Sequence, residues 1–158
     1  MLRRIIAFVV AVAVMVVFGS AAHSFLVQHA WSGAAGKADG LGPAAIPFAD
    51  RISWAAHDLS GMIVPYAGVT SVALLIAFLV AGLIARFSGG RVFVFGLAGA
   101  VALYTVFTVL RMTLGTVGIF GARGATGLAA QMLVGLIAGV IFAQLSARRG
   151  ANALDGTG

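Results

Sequence analysis

The side chains that could do chemistry are few in this chain. Its 158 residues include no cysteine, no glutamate and only four aspartates. The absence of cysteine excludes disulfides, thiolate metal sites and thiol redox chemistry. The chain also contains no GxSxG elbow, no HExxH pair, no GxxxxGK[S/T] loop and no paired carboxylates within an apolar segment. Because these signatures mark common catalytic sites, we expect no catalytic residue.

Arg111 is the first candidate for a binding site because it ends a long apolar segment. An arginine in that position is costly unless it reaches water or a partner. Asp58 is the best available counter-ion, and the pair would join two helices and bind an anionic headgroup or a quinone carbonyl when partly open. The alternative is that Arg111 extends to lipid phosphates without a pair. Arg123 is a further candidate in the apolar link 112–123, which either dips into the bundle or extends the preceding helix.

Two histidines, His23 and His57, raise the question of a haem or metal site, because neutral imidazole is a common ligand. A metal would need a third ligand, for which His29 or Asp58 would have to fold back. We expect instead that these histidines lie at the membrane surface, hydrogen-bonded to the backbone or to Asp58. The prediction is therefore no metal and no cofactor.

Four long apolar segments must position these side chains, and they predict an integral membrane protein. The chain is 61% hydrophobic and 9% charged, which leaves too little polar surface to solvate a globule of this size. Each segment approaches the ~20 residues that cross a ~30 Å hydrocarbon layer as a helix. We predict an all-α bundle of four transmembrane helices in one domain, residues 1–149, followed by a flexible polar tail, residues 150–158. The predicted spans are 5–26, 62–85, 92–110 and 124–145.

The basic residues predict the orientation of these spans. If the spans alternate, six arginines share one face, which favours that face as the cytoplasmic one. We expect a bacterial-type inner membrane protein with both termini in the cytoplasm. The net charge of +6 does not indicate nucleic acid, since the basic residues form no clustered stripe. A cleavable signal peptide over residues 1–22 is an alternative for the first segment. The six arginines are Arg3, Arg4, Arg86, Arg91, Arg148 and Arg149, opposite Lys37, Arg51, Arg111 and Arg123.

The stretch between the first two spans predicts a short interfacial helix. Trp31 and Trp54 bracket this stretch, and indole prefers the headgroup layer. We therefore expect the stretch to lie along the outer membrane surface, with Asp50 capping a helix over residues 51–59. Pro65 predicts a bend in the second span near Tyr66.

Small residues recur at intervals of four in each span and predict the inward helix faces. The fourth span contains a GxxxG motif, Gly135 to Gly139. We expect the polar members of these rows to face the interior and the Leu, Ile, Val and Phe side chains to face lipid. The rows are Ala7, Ala11, Met15, Gly19 and His23 in the first span; Ala73, Ala77, Ala81 and Ala85 in the second; Gly96, Ala100, Tyr104 and Thr108 in the third; and Gly127, Gln131, Gly135, Gly139 and Ala143 in the fourth.

A chain rich in packing residues and nearly bare of reactive ones favours a non-catalytic role. The leading hypothesis is an accessory subunit or a scaffold for lipid or a hydrophobic ligand, acting with membrane lipid and with a membrane-protein partner or a second copy of itself. One alternative is a small oligomeric transporter or channel, and another is a haem- or quinone-associated electron-transfer subunit. All three histidines fall at the outer side, so we expect any site in the outer half. The transport path would be lined by Tyr104, Thr108, Gln131 and His23, and electron transfer would use His23 and His57.

Overall fold

In the part of the chain that the structure describes, four α-helices form a closed bundle. The computed structural model describes residues 1–39, 46–114 and 124–147. Each helix packs against its two neighbours in a ring, α1 on α2, α2 on α3, α3 on α4 and α4 on α1. The predicted all-α class is confirmed, whereas the tail and most of the third link lie outside the described residues. The helices are α1 (Leu2–Asp39), α2 (Phe48–Ser88), α3 (Arg91–Leu114) and α4 (Ala125–Ser146).

All four helices are long and apolar enough to cross a membrane. Their outer faces expose many large apolar side chains, among them Val9, Leu79 and Leu133. An apolar surface of this extent is unusual for a protein that is surrounded by water. The segments that meet the length and composition criteria are Leu2–Ala35, Tyr66–Ser88, Arg91–Thr113 and Ala125–Ser146.

Helices α1 and α2 are much longer than the other two and stay paired beyond them. At 1.5 Å per residue they measure about 60 Å each, whereas α3 and α4 measure about 35 Å. The indole rings of Trp31 and Trp54 meet edge to face with centroids 5.6 Å apart. The Gln28 amide donates to the carbonyl oxygen of Arg51 at 3.0 Å. Helices α1 and α2 thus form a helical hairpin, and these contacts lie in the part of it that extends past the start of α4.

The predicted short helix over residues 51–59 is not a separate element. Those residues are helical, but they form the first part of α2, which continues without interruption through residue 65. The predicted cap is also wrong, because the helix begins after Pro47 and Asp50 lies in its first turn. Pairing with α1 through Trp31 and Trp54 explains the difference, since the partner helix supports further turns of α2. An interfacial location for this stretch stays a prediction.

Helices α3 and α4 approach so closely that their backbones touch. A methyl group at Gly135 would overlap the carbonyl group of Gly99, and one at Gly139 would overlap the carbonyl group of Phe95. Close approach of this kind needs small residues on both helices. The row that contains Gly135 and Gly139 is buried along α4, from Gly127 to Ala143.

Large side chains from α2 and α3 fill the space that the small residues of α1 and α4 leave. The inward face of α2 is a row of larger residues, and Ala73 and Ala77 from the predicted row are only half-buried, although Ala81 is buried. The prediction for Tyr104 is wrong, because that side chain is 46% exposed and Leu103 and Phe107 point inward instead. Protein interiors are closely packed, so large side chains occupy the space between helices. The phenylalanines Phe78, Phe95 and Phe107, which were expected to face lipid, are therefore buried. The buried rows are Tyr66, Thr70, Leu74 and Phe78 in α2 and Phe95, Leu103 and Phe107 in α3.

Candidate functional site

A groove lies between α1, α2 and α3, near the start of α1, and Phe142 of α4 contributes to its lining. Its volume is about 660 Å³, within the usual range of roughly 300 to 1,000 Å³ for small-molecule sites. One part of its lining is a wall of phenylalanines, another is a rim of aliphatic side chains, and the end of the groove holds Arg4, Arg86 and Arg91.

The phenylalanine wall is a mutually packed set of rings. Phe78 stacks on Phe142 with centroids 4.6 Å apart, and it meets Phe95 edge to face at 5.7 Å. Phe8 from α1 meets the same ring edge to face at 6.3 Å. Offset and edge-to-face pairs are the favoured aromatic geometries. One turn beyond Phe78, Gly82 leaves room, because a methyl group there would lie 3.8 Å from the Phe95 ring, an ordinary contact.

The groove opens sideways onto the apolar outer face of the bundle. Its rim includes Ile5, Leu79 and Leu83, and each of these side chains is more than half exposed, with Leu79 at 69%. A molecule in this groove would therefore keep one side against whatever surrounds the helices. In a bilayer that surrounding is lipid.

Three arginines converge at the end of the groove because of helix geometry. Arg4 lies in the first turn of α1, Arg86 in the last turn of α2, and Arg91 begins α3. Between the last two, Gly89 adopts φ = 68°, a left-handed conformation that glycine accepts readily. This turn reverses the chain, so that the end of α2 and the start of α3 lie at the same end of the bundle.

The three arginines differ in how firmly they are held. Arg91 donates to the Ser146 hydroxyl at 2.6 Å, and its guanidinium carbon lies 4.8 Å from the centre of the Phe95 ring. Arg4 is close enough for its charge to act on Arg91. The exposed guanidinium groups of Arg4 and Arg86 make no hydrogen bond or ion pair with any described residue.

Two arginines also donate to carbonyl groups in the last turn of α4. Arg3 donates to the carbonyl oxygen of Leu145 at 2.8 Å, and Arg91 donates weakly to that of Ala143 at 3.4 Å. The last carbonyl groups of a helix lack partners within it, and cations there are favourable. These contacts fix the relation between α4 and the arginine end of the groove.

A buried hydrogen-bond network lies near the middle of the bundle. The Tyr66 hydroxyl donates to Gln131 Oε1 at 2.7 Å, and Gln131 Nε2 donates to the carbonyl oxygen of Gly19 at 3.1 Å. Gln131 is completely buried, and Tyr66 is 3% exposed and stacks on Phe107. The network ties α1, α2 and α4 together. A side chain at position 19 would overlap the Tyr66 ring.

From this network a polar row continues along α1 towards the hairpin. Ser20, Ser24 and Gln28 recur at intervals of four and are all buried. The Gln28 amide donates to the Ser24 hydroxyl at 3.0 Å as well as to the carbonyl oxygen of Arg51. The Ser20 hydroxyl has no hydrogen-bond partner in the described part of the chain. In the opposite direction the buried core is apolar, with Met15, Leu74 and the phenylalanine wall.

The outer candidates are not brought together as predicted. Arg111 is exposed and lines a second groove of about 600 Å³ with Tyr104 and Thr108. It does not pair with Asp58, which is half-buried on α2 and acts electrostatically on His23. His23 belongs to α1, so the charge of Asp58 acts on the first helix and not on α3, where Arg111 lies. Arg123 lies outside the described residues.

The two histidine candidates also differ in environment. His57 is exposed, and its carbonyl oxygen accepts a hydrogen bond from Ser60 at 2.7 Å. His23 is half-buried and interacts with its surroundings. Among residues 1–39, 46–114 and 124–147, no group of three or more His, Cys, Asp or Glu side chains is placed to hold a metal ion.

The groove is not predicted by the sequence pattern. In the sequence, Arg4, Arg86 and Arg91 indicate only the topology, and the pattern of polar residues predicts a site at the opposite end of the bundle. The available signal was their shared location, because the predicted topology already put all three on one face. The void beside Gly82 depends on how α1 sits against α2, which residue order alone does not reveal.

Similarity to known proteins gives no assignment. Comparisons with protein-family models, with curated proteins and with solved structures found no match. The chemistry of the groove is therefore the basis for assigning a function.

Proposed function

We propose that this protein is a small, non-catalytic scaffold of a bacterial-type inner membrane, working alone or as an accessory subunit, that binds a lipid or another hydrophobic molecule. The groove between α1, α2 and α3 is the observation that supports this most directly. Its lining is mostly apolar, its wall is packed, and its rim opens onto the face that a bilayer would cover.

The charge distribution supports an orientation with the groove in the cytoplasmic half of the membrane. Arg3, Arg4, Arg86 and Arg91 lie at one end of the bundle, and basic residues next to spans favour the cytoplasmic side. Both termini are then cytoplasmic. The α1–α2 hairpin with Trp31 and Trp54 lies at the outer surface, where indole rings are common.

The interior favours a scaffold over a transporter. Buried polar side chains run from Gln28 to Tyr66 and Gln131, but Leu74, Phe78 and the other phenylalanines of the wall occupy the core from there to the arginine end. Ser88 and Gln144, at that end, are exposed. A path for a polar solute would therefore have to form between copies of the chain.

Native mass spectrometry of the protein in mild detergent tests the proposal. We expect wild-type protein to retain an apolar molecule and the Gly82→Phe variant to lose it, because a ring at position 82 fills the groove. Gly68→Phe is the matched control, since Gly68 lies on the same helix and a β-carbon added there would have nothing within 4 Å. Equal retention by both variants, or substrate turnover by the purified chain alone, would contradict the proposal.

A further inference from the structure

We propose that the groove binds an anionic phospholipid, with its phosphate on Arg4, Arg86 and Arg91 and one acyl chain along the phenylalanine wall. This inference rests on the proposed function and names the class of ligand. It departs from the expectation of a site in the outer half, because the arginine end is the opposite end of the bundle.

The first support is uncompensated positive charge. Arg4, Arg86 and Arg91 line one end of the groove, and the described aspartates lie at the other end of the hairpin. The nearest along α2 is Asp58, separated from Arg86 by about 42 Å of helix at 1.5 Å per residue. Arg4 and Arg91 repel each other, so an anion between the arginines would stabilise their convergence.

The second support is the hydrogen-bonding capacity of the arginines. A guanidinium group offers five N–H donors in a planar arrangement that matches phosphate oxygens. Arg91 is oriented by Ser146 and by the Phe95 ring, while Arg4 and Arg86 retain donors that no described residue accepts. One arginine is thus fixed, and two can adjust around a phosphate. Charge-assisted contacts of this kind are among the stronger hydrogen bonds.

The third support is the length and opening of the groove. From Arg86 to Leu75 the lining follows about 16 Å of α2 at 1.5 Å per residue, close to half of the ~30 Å hydrocarbon layer. An acyl chain of one leaflet fits that depth. The exposed leucines of the rim give access from the bilayer, so a membrane phospholipid is favoured over a soluble anion.

Headgroup competition tests the inference. Detergent-purified protein is offered equal amounts of phosphatidylglycerol and phosphatidylethanolamine with identical acyl chains, and bound lipid is measured by native mass spectrometry. We expect phosphatidylglycerol to predominate in wild type. Arg86→Gln and Arg4→Gln should each lower its binding constant about tenfold, as expected for loss of one charge-assisted contact of ~1.4 kcal/mol. Arg91 is left intact because it also contacts α4.

The matched control is Arg51→Gln, which removes the same charge from an exposed arginine near the start of α2, outside both grooves. It should leave phosphatidylglycerol binding unchanged, and Arg86→Lys should recover part of the loss. Equal binding of the two lipids, or an equal loss in Arg51→Gln, would overturn the inference.

The outcomes separate this inference from the proposed function. If Gly82→Phe displaces a bound molecule but headgroup and arginine changes have no effect, the groove binds a neutral hydrophobic ligand and only the phospholipid assignment fails. If wild-type protein retains nothing, both fail. Displacement of the lipid by inorganic phosphate at equal concentration would assign the arginines to a soluble anion and overturn the phospholipid.

Discussion

Replacing Tyr66 and Gln131, singly and together, measures how much the buried network stabilises the bundle. The hydroxyl of Tyr66 is 2.7 Å from Gln131 Oε1, and both side chains are almost fully buried. Tyr66→Phe keeps the ring and its stacking on Phe107 while removing the donor. Gln131→Leu keeps a similar volume and removes both amide contacts.

The expected magnitude follows from the groups that each change leaves unpaired. A buried polar group without a partner costs about 1 to 3 kcal/mol, and side-chain pairs in membrane proteins average about 0.6 with a maximum near 1.7. We expect each single variant to lower the free energy of unfolding by about 1 to 2 kcal/mol. In the double variant neither partner is left buried without the other. The double variant should therefore lower the free energy of unfolding by about 1 kcal/mol less than the sum of the two single effects.

The assay is reversible unfolding in mixed micelles of a mild detergent and sodium dodecyl sulfate, followed by far-ultraviolet circular dichroism. Tyr104→Phe is the control, because Tyr104 lies on the outer face of α3, and it should leave the free energy of unfolding unchanged. Additivity of the two single effects within about 0.3 kcal/mol would refute the conclusion that this hydrogen bond stabilises the bundle.

Two further pairs of variants test packing and polarity in the same assay. Gly139→Ala should lower the free energy of unfolding by about 1 to 3 kcal/mol, because the methyl group would overlap the Phe95 backbone. The control Gly33→Ala lies in open space on α1 and should leave the free energy of unfolding equal or slightly higher. Equal effects of the two substitutions would contradict the close α3–α4 contact. Ser20→Ala should leave the free energy of unfolding unchanged or raise it, since the buried Ser20 hydroxyl has no partner among the described residues. Ser24→Ala should lower the free energy of unfolding by about 1 kcal/mol, because it removes an acceptor for the Gln28 amide. A loss in Ser20→Ala that equals the loss in Ser24→Ala would show that the Ser20 hydroxyl has a partner.

The helices were predictable because their signal is length. A membrane-crossing helix needs about 20 apolar residues, and the predicted third and fourth spans lie within a few residues of α3 and α4. The extra turns of α1 and α2 were not predictable in the same way. They depend on a pairing between Trp31 and Trp54 that the sequence presents only as two separate tryptophans.

The inward faces were predictable where backbones meet and not where side chains fill gaps. On α4 the glycines lie in the contact with α3, because only small residues allow that approach. Alanine is too common in this chain to mark a face on α2, and volume decides there instead. Tyr66 therefore points inward, although the sequence drew attention to it only as a neighbour of Pro65. Tyr104, which a row of small residues predicted to be buried, points outward.

The candidate site was the least predictable part. Its arginines are visible in the sequence, but their convergence requires the turn at Gly89 and the antiparallel return of α3. The cavity itself is an absence of side-chain atoms beside Gly82, and it depends on the separation of α1 and α2. The sequence pattern gives neither the distance between the arginines nor the separation of α1 and α2.

The contact between Gly19 and Tyr66 has an evolutionary consequence. Because the tyrosine ring fills the space where a β-carbon at position 19 would lie, the two positions are not free to vary independently. In homologous chains that keep a tyrosine at the second position, the first should stay glycine. Where the aromatic ring has given way to a smaller residue, alanine or serine should become acceptable at the first, and the pair should covary.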